Sequence, residues 1–169
     1  MGRIGTWQRR GFFLYNSKSM KMEQFRKTIL LVEDNESDVE LAKRALIKGN
    51  IETDIIVATD GQEALDYMFG NGKYEGRDVS QMPALVLLDL QLPLVDGAET
   101  LRRIRADKRT RRQIVVVLTS SLEKADLLNC YDLGVNSYIR KPVDFEKFTE
   151  TLKCLDQYWL SVNEPPPSI

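Results

Sequence analysis

Histidine is absent from this sequence of 169 residues, and cysteine occurs only twice, at positions 130 and 154. Without an imidazole group, the chain cannot carry a phosphohistidine, form a Ser-His-Asp triad or bind a metal ion through a ring nitrogen. Two cysteines 24 positions apart provide neither a four-ligand zinc site nor a disulfide framework. The reactive groups must therefore be carboxylates, hydroxyls and amines, and we expect a reducing, cytoplasmic setting.

Long apolar runs and a strong net charge are also missing. The longest wholly aliphatic runs, such as residues 114–118, are far shorter than the roughly 20 residues that cross a bilayer, so we expect no transmembrane segment and no membrane partner. A formal net charge of −1 gives no electrostatic reason to expect a nucleic-acid partner. The length accommodates one domain with a full hydrophobic core.

The two ends of the chain differ in composition from its middle. Residues 1–26 show no steady periodicity and contain no acidic side chain before Glu23. Their basic residues include Arg3, Arg9, Arg10, Lys18 and Lys21. We expect a poorly ordered basic extension there, either a dispensable tail or a contact element. Residues 27–160 are predicted to form the folded domain, and residues 161–169 a proline-rich tail.

Five short apolar segments are typical of strands buried on both faces. They span residues 28–32, 53–58, 85–88, 114–118 and 135–139, and a helical pattern of apolar residues follows each of them. Continuous aliphatic runs suit a parallel sheet covered by helices on both sides, because a half-buried strand would alternate apolar with polar residues. Five strands alternating with five helices predict an α/β fold with one doubly wound parallel sheet.

Several helix ends can be predicted from single residues. Asp60 and Asp144 precede the second and fifth helical patterns, where an aspartate caps the first turn. Ser120 and Glu123 have the spacing of a capping box for the fourth helix. Gly134 is predicted to end that helix in a left-handed conformation.

Polar side chains stand at the ends of four of these segments. They are Glu33 and Asp34 after the first, Asp89 after the third, Thr119 after the fourth and Lys141 after the fifth. Because the carboxyl ends of parallel strands meet at one edge of a sheet, where ligands bind, we expect these side chains to converge. Each alone has an ordinary structural explanation, since strand ends are commonly polar. Their convergence is what indicates a functional site.

Three carboxylates at one edge require a nearby cation, because two like charges about 4 Å apart repel by roughly 4 kcal/mol at an effective dielectric constant near 20. Oxygen ligands without nitrogen or sulfur select a hard cation, and carboxylates with a backbone carbonyl and waters are typical of Mg²⁺. Lys141 adds a second positive charge beside Asp89, and Thr119 can hydrogen-bond an anion. A carboxylate in this setting is suited to accept a phosphoryl group.

Over residues 27–158 the sequence resembles the receiver domain of two-component response regulators. The resemblance depends on the acidic pair at 33–34 and on the segments LDLQLPLVDG at 88–97, LTSS at 118–121 and LGVNSYIRKP at 133–142. It implies the flavodoxin-like strand order 2-1-3-4-5 and transfer of a phosphoryl group to Asp89 from the phosphohistidine of a sensor histidine kinase. It also implies that Asp34, Asp89 and the main-chain carbonyl of Gln91 bind Mg²⁺, with Glu33 acting through water.

The same resemblance implies how such a chain would work. Thr119 and Tyr138 would form a switch pair in which the hydroxyl moves to the phosphate and the ring turns inward, and the Lys141–Pro142 peptide bond would be cis. The surface of helix 4, strand 5 and helix 5 would carry the signal and form a homodimer. The chain would be a phosphoacceptor that uses Thr119 and Lys141 to assist its own phosphorylation and dephosphorylation, not an enzyme. Residues 35–38 and the long loop before the third strand are more narrowly similar to the small response regulators paired with cyanobacterial phytochromes.

Three alternatives differ in class. A haloacid-dehalogenase-like phosphatase also uses an aspartate nucleophile, Mg²⁺ and a lysine, but it requires a second acid two residues after the nucleophile, where this sequence has Gln91. A flavodoxin-like nucleotide-binding protein needs a loop rich in Gly, Ser or Thr after the first strand, whereas residues 33–36 would repel phosphate. A receiver that acts as a phosphorylation-independent dimeric scaffold remains open.

Overall fold

The sheet is built from parallel strands whose carboxyl ends lie at one edge. A computed structural model describes residues 27–47 and 53–166, and in this part of the chain the strand order is β2-β1-β3-β4-β5. The strands are β1 (Lys27–Val32), β2 (Thr53–Ala58), β3 (Leu85–Leu88), β4 (Val115–Thr119) and β5 (Ser137–Arg140). Val32 pairs with Ala58 on one side and Leu88 on the other, so β1, β2 and β3 end level with one another. The predicted α/β fold and strand order are confirmed.

Helices cover both faces of this sheet. They are α1 (Glu36–Ile47), α2 (Gly61–Phe69), α3 (Gly97–Ala106), α4 (Lys124–Asp132) and α5 (Phe145–Asp156). A short 3₁₀ turn at Gly72–Tyr74 follows α2. Helices α1 and α5 pack against each other on one face, while α2 packs against α3 and α3 against α4 on the other. No helix in the described ranges is long and apolar enough to cross a membrane.

Alternate residues of the central strands face the two helical layers. Ile29 and Leu31 belong to the core on the α1 and α5 side, whereas Leu30 and Val32 belong to the core on the α2, α3 and α4 side. All four residues of β3 are fully buried. Burial on both faces explains why these strands are continuous aliphatic runs.

The helix caps follow the sequence with one exception. Asp60 and Asp144 accept hydrogen bonds from the N–H groups of Glu63 and Lys147, as expected of N-caps. Gly134 has a φ of 81°, which supports the predicted left-handed end of α4. The predicted capping box of Ser120 and Glu123 is wrong, because the residue that bonds this helix end is Ser121. Its Oγ accepts from the N–H of Glu123 (3.2 Å) and donates to Asp126 (2.6 Å).

The ends of the described ranges bear on the predicted domain boundaries. Residues 1–26, the predicted basic extension, lie outside the described residues. Helix α5 continues into a π-helical turn at Gln157–Val162, which passes the predicted end of the folded domain at residue 160. Pro165 and Pro166 of the predicted tail line a groove near the amino ends of β3 and β4. The three boundaries themselves stay predictions.

Candidate functional site

Asp89 lies directly after β3, at the carboxyl edge of the sheet. The loop that follows turns back so tightly that a Cβ atom on Gly97 would lie 2.1 Å from the carbonyl oxygen of Asp89. Main-chain N–H groups of Leu90 (2.6 Å) and Gln91 (3.3 Å) donate to Asp89 Oδ1. The carboxylate therefore has a fixed orientation, with Oδ2 left to face the neighbouring strand ends.

Lys141 joins this carboxylate to two others. Its Nζ atom donates to Asp89 Oδ2 at 2.8 Å, to Glu33 Oε2 at 2.6 Å and to Asp38 Oδ2 at 2.9 Å. An ammonium group has three N–H donors, so all of its hydrogen bonds are made within the cluster. The main-chain N–H of Lys141 also donates to the carbonyl of Thr119 (2.8 Å), which fixes the start of the loop after β5.

The cluster is well shielded from solvent, and this shapes its electrostatics. The side chains of Glu33, Asp89 and Lys141 are 5%, 6% and 11% exposed. Burial raises the pKa of Glu33, and the hydrogen bond from Lys141 opposes this effect only in part. Burial by itself would lower the pKa of Lys141, but hydrogen bonds to Asp89, Glu33 and Asp38 more than offset it and raise that pKa. Lys141 therefore stays charged at neutral pH.

The predicted metal ligands are only partly brought together. Glu33 and Asp89 share Lys141, whereas Asp34 is exposed and makes no hydrogen bond or ion pair with any described residue. Within residues 27–47 and 53–166, no three acidic or cysteine side chains are arranged so that they could hold a metal ion together. The chemistry of the site nevertheless suits a hard cation, because Glu33, Asp38 and Asp89 around one ammonium group leave excess negative charge, and Asp34 and Asp89 offer oxygen ligands.

The other predicted residues lie beside this cluster. Thr119, at the end of β4, is fully buried, and its Oγ1 accepts from the N–H of Ser121 (3.2 Å). Tyr138 of β5 is half-buried, and its enclosed hydroxyl makes no well-formed hydrogen bond with a described residue, although Ser121 lies near enough to affect its pKa. Burial raises the pKa of Tyr138. Gln91 carries its side-chain oxygen to within 3.3 Å of Ser120 Oγ.

One expectation for this loop is wrong. The peptide bonds of the described residues are all trans, including the Lys141–Pro142 bond that was expected to be cis. The trans form of an X–Pro bond is lower in energy by about 0.5–1 kcal/mol when nothing else selects the isomer. Lys141 nevertheless reaches all three carboxylates from this backbone conformation.

Asp38 is a site residue that the sequence did not reveal. Its place in the first turn of α1, after the cap Asn35, is fully explained by helix stabilisation, so the pattern gave no reason to assign it to the strand edge. The signal that could have identified it is the direction of this helix. The amino end of α1 follows the same strand end as Glu33, and its first-turn side chains therefore reach the cluster.

Three exposed aliphatic side chains lie in the loops at the same edge of the sheet as the cluster. Leu94, Leu122 and Val143 belong to the loops that follow β3, β4 and β5, and all three are highly exposed. Leu94 also has a φ of 61°, a left-handed conformation that is unfavourable for a leucine. The edge of the sheet that carries Asp89 therefore also exposes apolar side chains.

Comparison with known proteins identifies this arrangement. The family model for the response regulator receiver domain matches residues 29–153, most of the described chain. The chain belongs to the response regulator receiver family. Receiver domains generally bind a divalent metal ion and act in signalling.

Relatives of this receiver occur in more than one organism. It is 43% identical over 138 residues to "Probable methanogenesis regulatory protein FilR2" of Methanothrix harundinacea. The aligned region covers 82% of this chain and 86% of FilR2. It is 36% identical over 134 residues to response regulator Rcp1 of a Synechocystis strain, with 79% and 89% of the two chains covered. The structure of phosphorylated RcpA, a cyanobacterial phytochrome response regulator, matches with a TM-score of 0.79 at 37% identity and covers 84% of this chain and 99% of RcpA. This receiver is therefore similar to phytochrome response regulators.

Proposed function

We propose that this receiver accepts a phosphoryl group on Asp89 from the phosphohistidine of a sensor histidine kinase. The observation that carries the proposal is the placement of Lys141 Nζ 2.8 Å from Asp89 Oδ2, inside a cluster shielded from solvent. A buried carboxylate beside a fixed ammonium group is suited to attack a phosphoryl group, because the ammonium offsets the charge on the oxygens of both partners.

The transfer exchanges one bond for another. The P–N bond of the phosphohistidine breaks and leaves its electron pair on the imidazole nitrogen, while an Asp89 carboxylate oxygen forms a new O–P bond. Lys141 can then move one of its three hydrogen bonds to a phosphoryl oxygen. Thr119, at the end of the neighbouring strand, would donate its hydroxyl proton to another phosphoryl oxygen. The main-chain donors to Oδ1 hold the carboxylate in position throughout.

A divalent cation, which we assign as Mg²⁺, would neutralise charge on the phosphoryl oxygens when bound. Asp34, Asp89 and the Gln91 main-chain carbonyl would hold it, with Glu33 acting through water. The excess negative charge of the cluster supports this assignment. So does the crystal structure of Rcp1 in its Mn²⁺-bound form, which is 34% identical with a TM-score of 0.77 and covers 83% of this chain and 99% of Rcp1.

The signal would leave through α4, β5 and α5. Thr119 and Tyr138 would couple the phosphate to this surface, with the half-buried ring of Tyr138 turning inward as the Thr119 hydroxyl moves to the phosphate. Leu128 and Tyr131 of α4 and Tyr158 after α5 are exposed apolar side chains on these elements. Such side chains suit a homodimer contact.

We assign the kinase to the phytochrome type on the similarity to RcpA and Rcp1. The exposed Leu94, Leu122 and Val143 support docking of a protein at the site, because apolar side chains around a reactive carboxylate exclude water once a partner covers them.

Acetyl phosphate labelling tests this function. The wild type should gain the mass of one phosphate only when Mg²⁺ is present, and Asp89→Asn should gain none. Asp132→Asn, which changes an exposed carboxylate on α4, is the matched control and should behave as the wild type. Absence of labelling in the wild type, or equal labelling of Asp89→Asn, would contradict the proposal and leave the phosphorylation-independent scaffold.

A further inference from the structure

A groove of about 640 Å³ runs between the edge strand β5 and helix α5. Its apolar lining comes from Ile139, Pro142, Leu155, Tyr158 and Trp159. No strand in the described ranges pairs with the outer side of β5, and the residues of β5 are less buried than those of β3 and β4. The upper end of the groove lies at Pro142, directly after Lys141. The structure thus has an open apolar channel that ends beside the phosphoacceptor site.

The first described residue contacts the turn that follows α5. The ammonium of Lys27, the first residue of β1, donates a hydrogen bond to the carbonyl of Leu160. Leu160 belongs to the π-helical turn that also carries Tyr158 and Trp159. Residues 1–26 therefore precede a residue that contacts the same turn as two of the groove's lining side chains.

The composition of residues 1–26 matches such a channel. They hold five of the fourteen aromatic residues of the chain, namely Trp7, Phe12, Phe13, Tyr15 and Phe25. They carry a net charge of +5 in a chain of −1, which leaves −6 on residues 27–169. Apolar aromatic side chains suit the lining, and the opposite charges favour a contact between the segment and the rest of the chain.

The tether is also long enough. About 12 residues separate Phe13 and Tyr15 from Lys27, which allows a maximum reach of about 40 Å. The groove side of α5 from Lys147 to Tyr158 spans about 17 Å at the helical rise. The aromatic cluster at 12–15 can therefore lie anywhere along the groove.

We propose that residues 1–26 bind in the groove between β5 and α5 of the same chain. This inference goes beyond the proposed phosphotransfer and does not depend on it. A bound segment covers part of the α4, β5 and α5 surface, so a second copy of the chain could use that part only after the segment leaves. The basic extension is then an internal partner of the receiver.

Cys154 provides a probe within the groove. It is exposed and lines the groove, whereas Cys130 is buried and its pKa is raised to about 11 by burial. The two are the only cysteines in the sequence. The rate at which a soluble aromatic disulfide reagent modifies Cys154 therefore reports how often the groove is open.

The comparison uses the full chain and its variant Phe12→Ser/Phe13→Ser. A tether of about 12 residues gives an effective concentration of about 1 mM, so an intrinsic dissociation constant of about 100 µM would leave the groove open about a tenth of the time. Modification of Cys154 should then be about tenfold slower in the wild type than in the variant. Tyr131→Ser, an exposed aromatic residue on α4 outside the groove, is the matched control and should leave the rate unchanged. Far-ultraviolet circular dichroism checks that all three chains are folded.

Dilution separates the possible occupants of the groove. Protection by residues 1–26 of the same chain should be independent of protein concentration over a hundredfold dilution. Protection that disappears on dilution would assign the groove to a second copy and overturn the proposal. Equal rates in the wild type and in Phe12→Ser/Phe13→Ser would overturn it as well.

Discussion

Replacing Lys141 by methionine removes the one ammonium group in residues 27–47 and 53–166 that bonds Glu33, Asp38 and Asp89. Methionine keeps most of the apolar stem of the lysine, so the main change is the loss of charge and of three hydrogen bonds. The three carboxylates are then left facing one another in a site where two of them are almost fully buried.

The structure sets the size of the effect. Removing one partner of a buried ion pair costs about 3–5 kcal/mol, because the remaining charge loses its compensation in a poorly solvated place. Asp38 is 34% exposed and can turn to solvent, so the loss of its ion pair with Lys141 should contribute little to the change in unfolding free energy. We therefore expect Lys141→Met to lower the free energy of unfolding by about 3 kcal/mol, or the melting temperature by roughly 10 °C, in the absence of divalent ions.

Magnesium should reverse part of this loss. With Lys141 gone, the uncompensated carboxylates have a greater need for a cation, so added Mg²⁺ should stabilise Lys141→Met more than the wild type. Thermal and urea unfolding in chelator and in Mg²⁺ measure both effects, with Lys153→Met, an exposed lysine of α5, as the control. A variant as stable as the wild type in chelator, or one with no extra response to Mg²⁺, would refute the electrostatic reasoning.

Three other substitutions have expected outcomes. Burial raises the pKa of Asp156 in the folded state, so the free energy of unfolding of the wild type falls as pH rises from the unfolded-state pKa near 3.9 through the folded-state pKa. Asp156→Asn should therefore be about 1 kcal/mol more stable than the wild type at pH 7 and should lose this advantage below about pH 4, as measured by urea unfolding. Gly97→Ala places a Cβ 2.1 Å from the Asp89 carbonyl and should lower stability by about 1–3 kcal/mol and slow acetyl phosphate labelling. Leu94→Gly relieves a positive φ and should raise stability by about 0.5–1 kcal/mol, while transfer from a kinase becomes slower and labelling by acetyl phosphate is unchanged.

The sheet was predictable because its strands are buried on both faces. A short continuous aliphatic run between turn residues, such as Leu85–Leu88, is typical of a strand buried on both faces. The order of the strands was predicted from the resemblance to receiver domains. The boundary of β5 was less predictable. Val135 was expected to start the strand, but its N–H donates to the carbonyl of Cys130 and closes the end of α4, so the strand begins at Ser137.

The sequence predicted which strand-end residues meet at the site, but it did not predict the hydrogen bonds that join them. Asp89, Thr119 and Lys141 follow strands in the sequence, and the parallel sheet brings them to one edge. The partner Asp38 was missed because a first-turn acid already has a local role at its helix terminus. The exposure of Asp34 depends on side-chain directions in the loop after β1, which no periodicity encodes.

The central claim is that Asp89 carries the phosphoryl group, and chemical trapping tests it most directly. Borohydride reduces an acyl phosphate to an alcohol, so a phosphorylated aspartate becomes homoserine and can be located by peptide sequencing in a mass spectrometer. After treatment with acetyl phosphate and Mg²⁺, we expect homoserine at position 89 alone, and none when acetyl phosphate is omitted. Homoserine at Asp34 or Asp38 with an unchanged Asp89 would contradict the account.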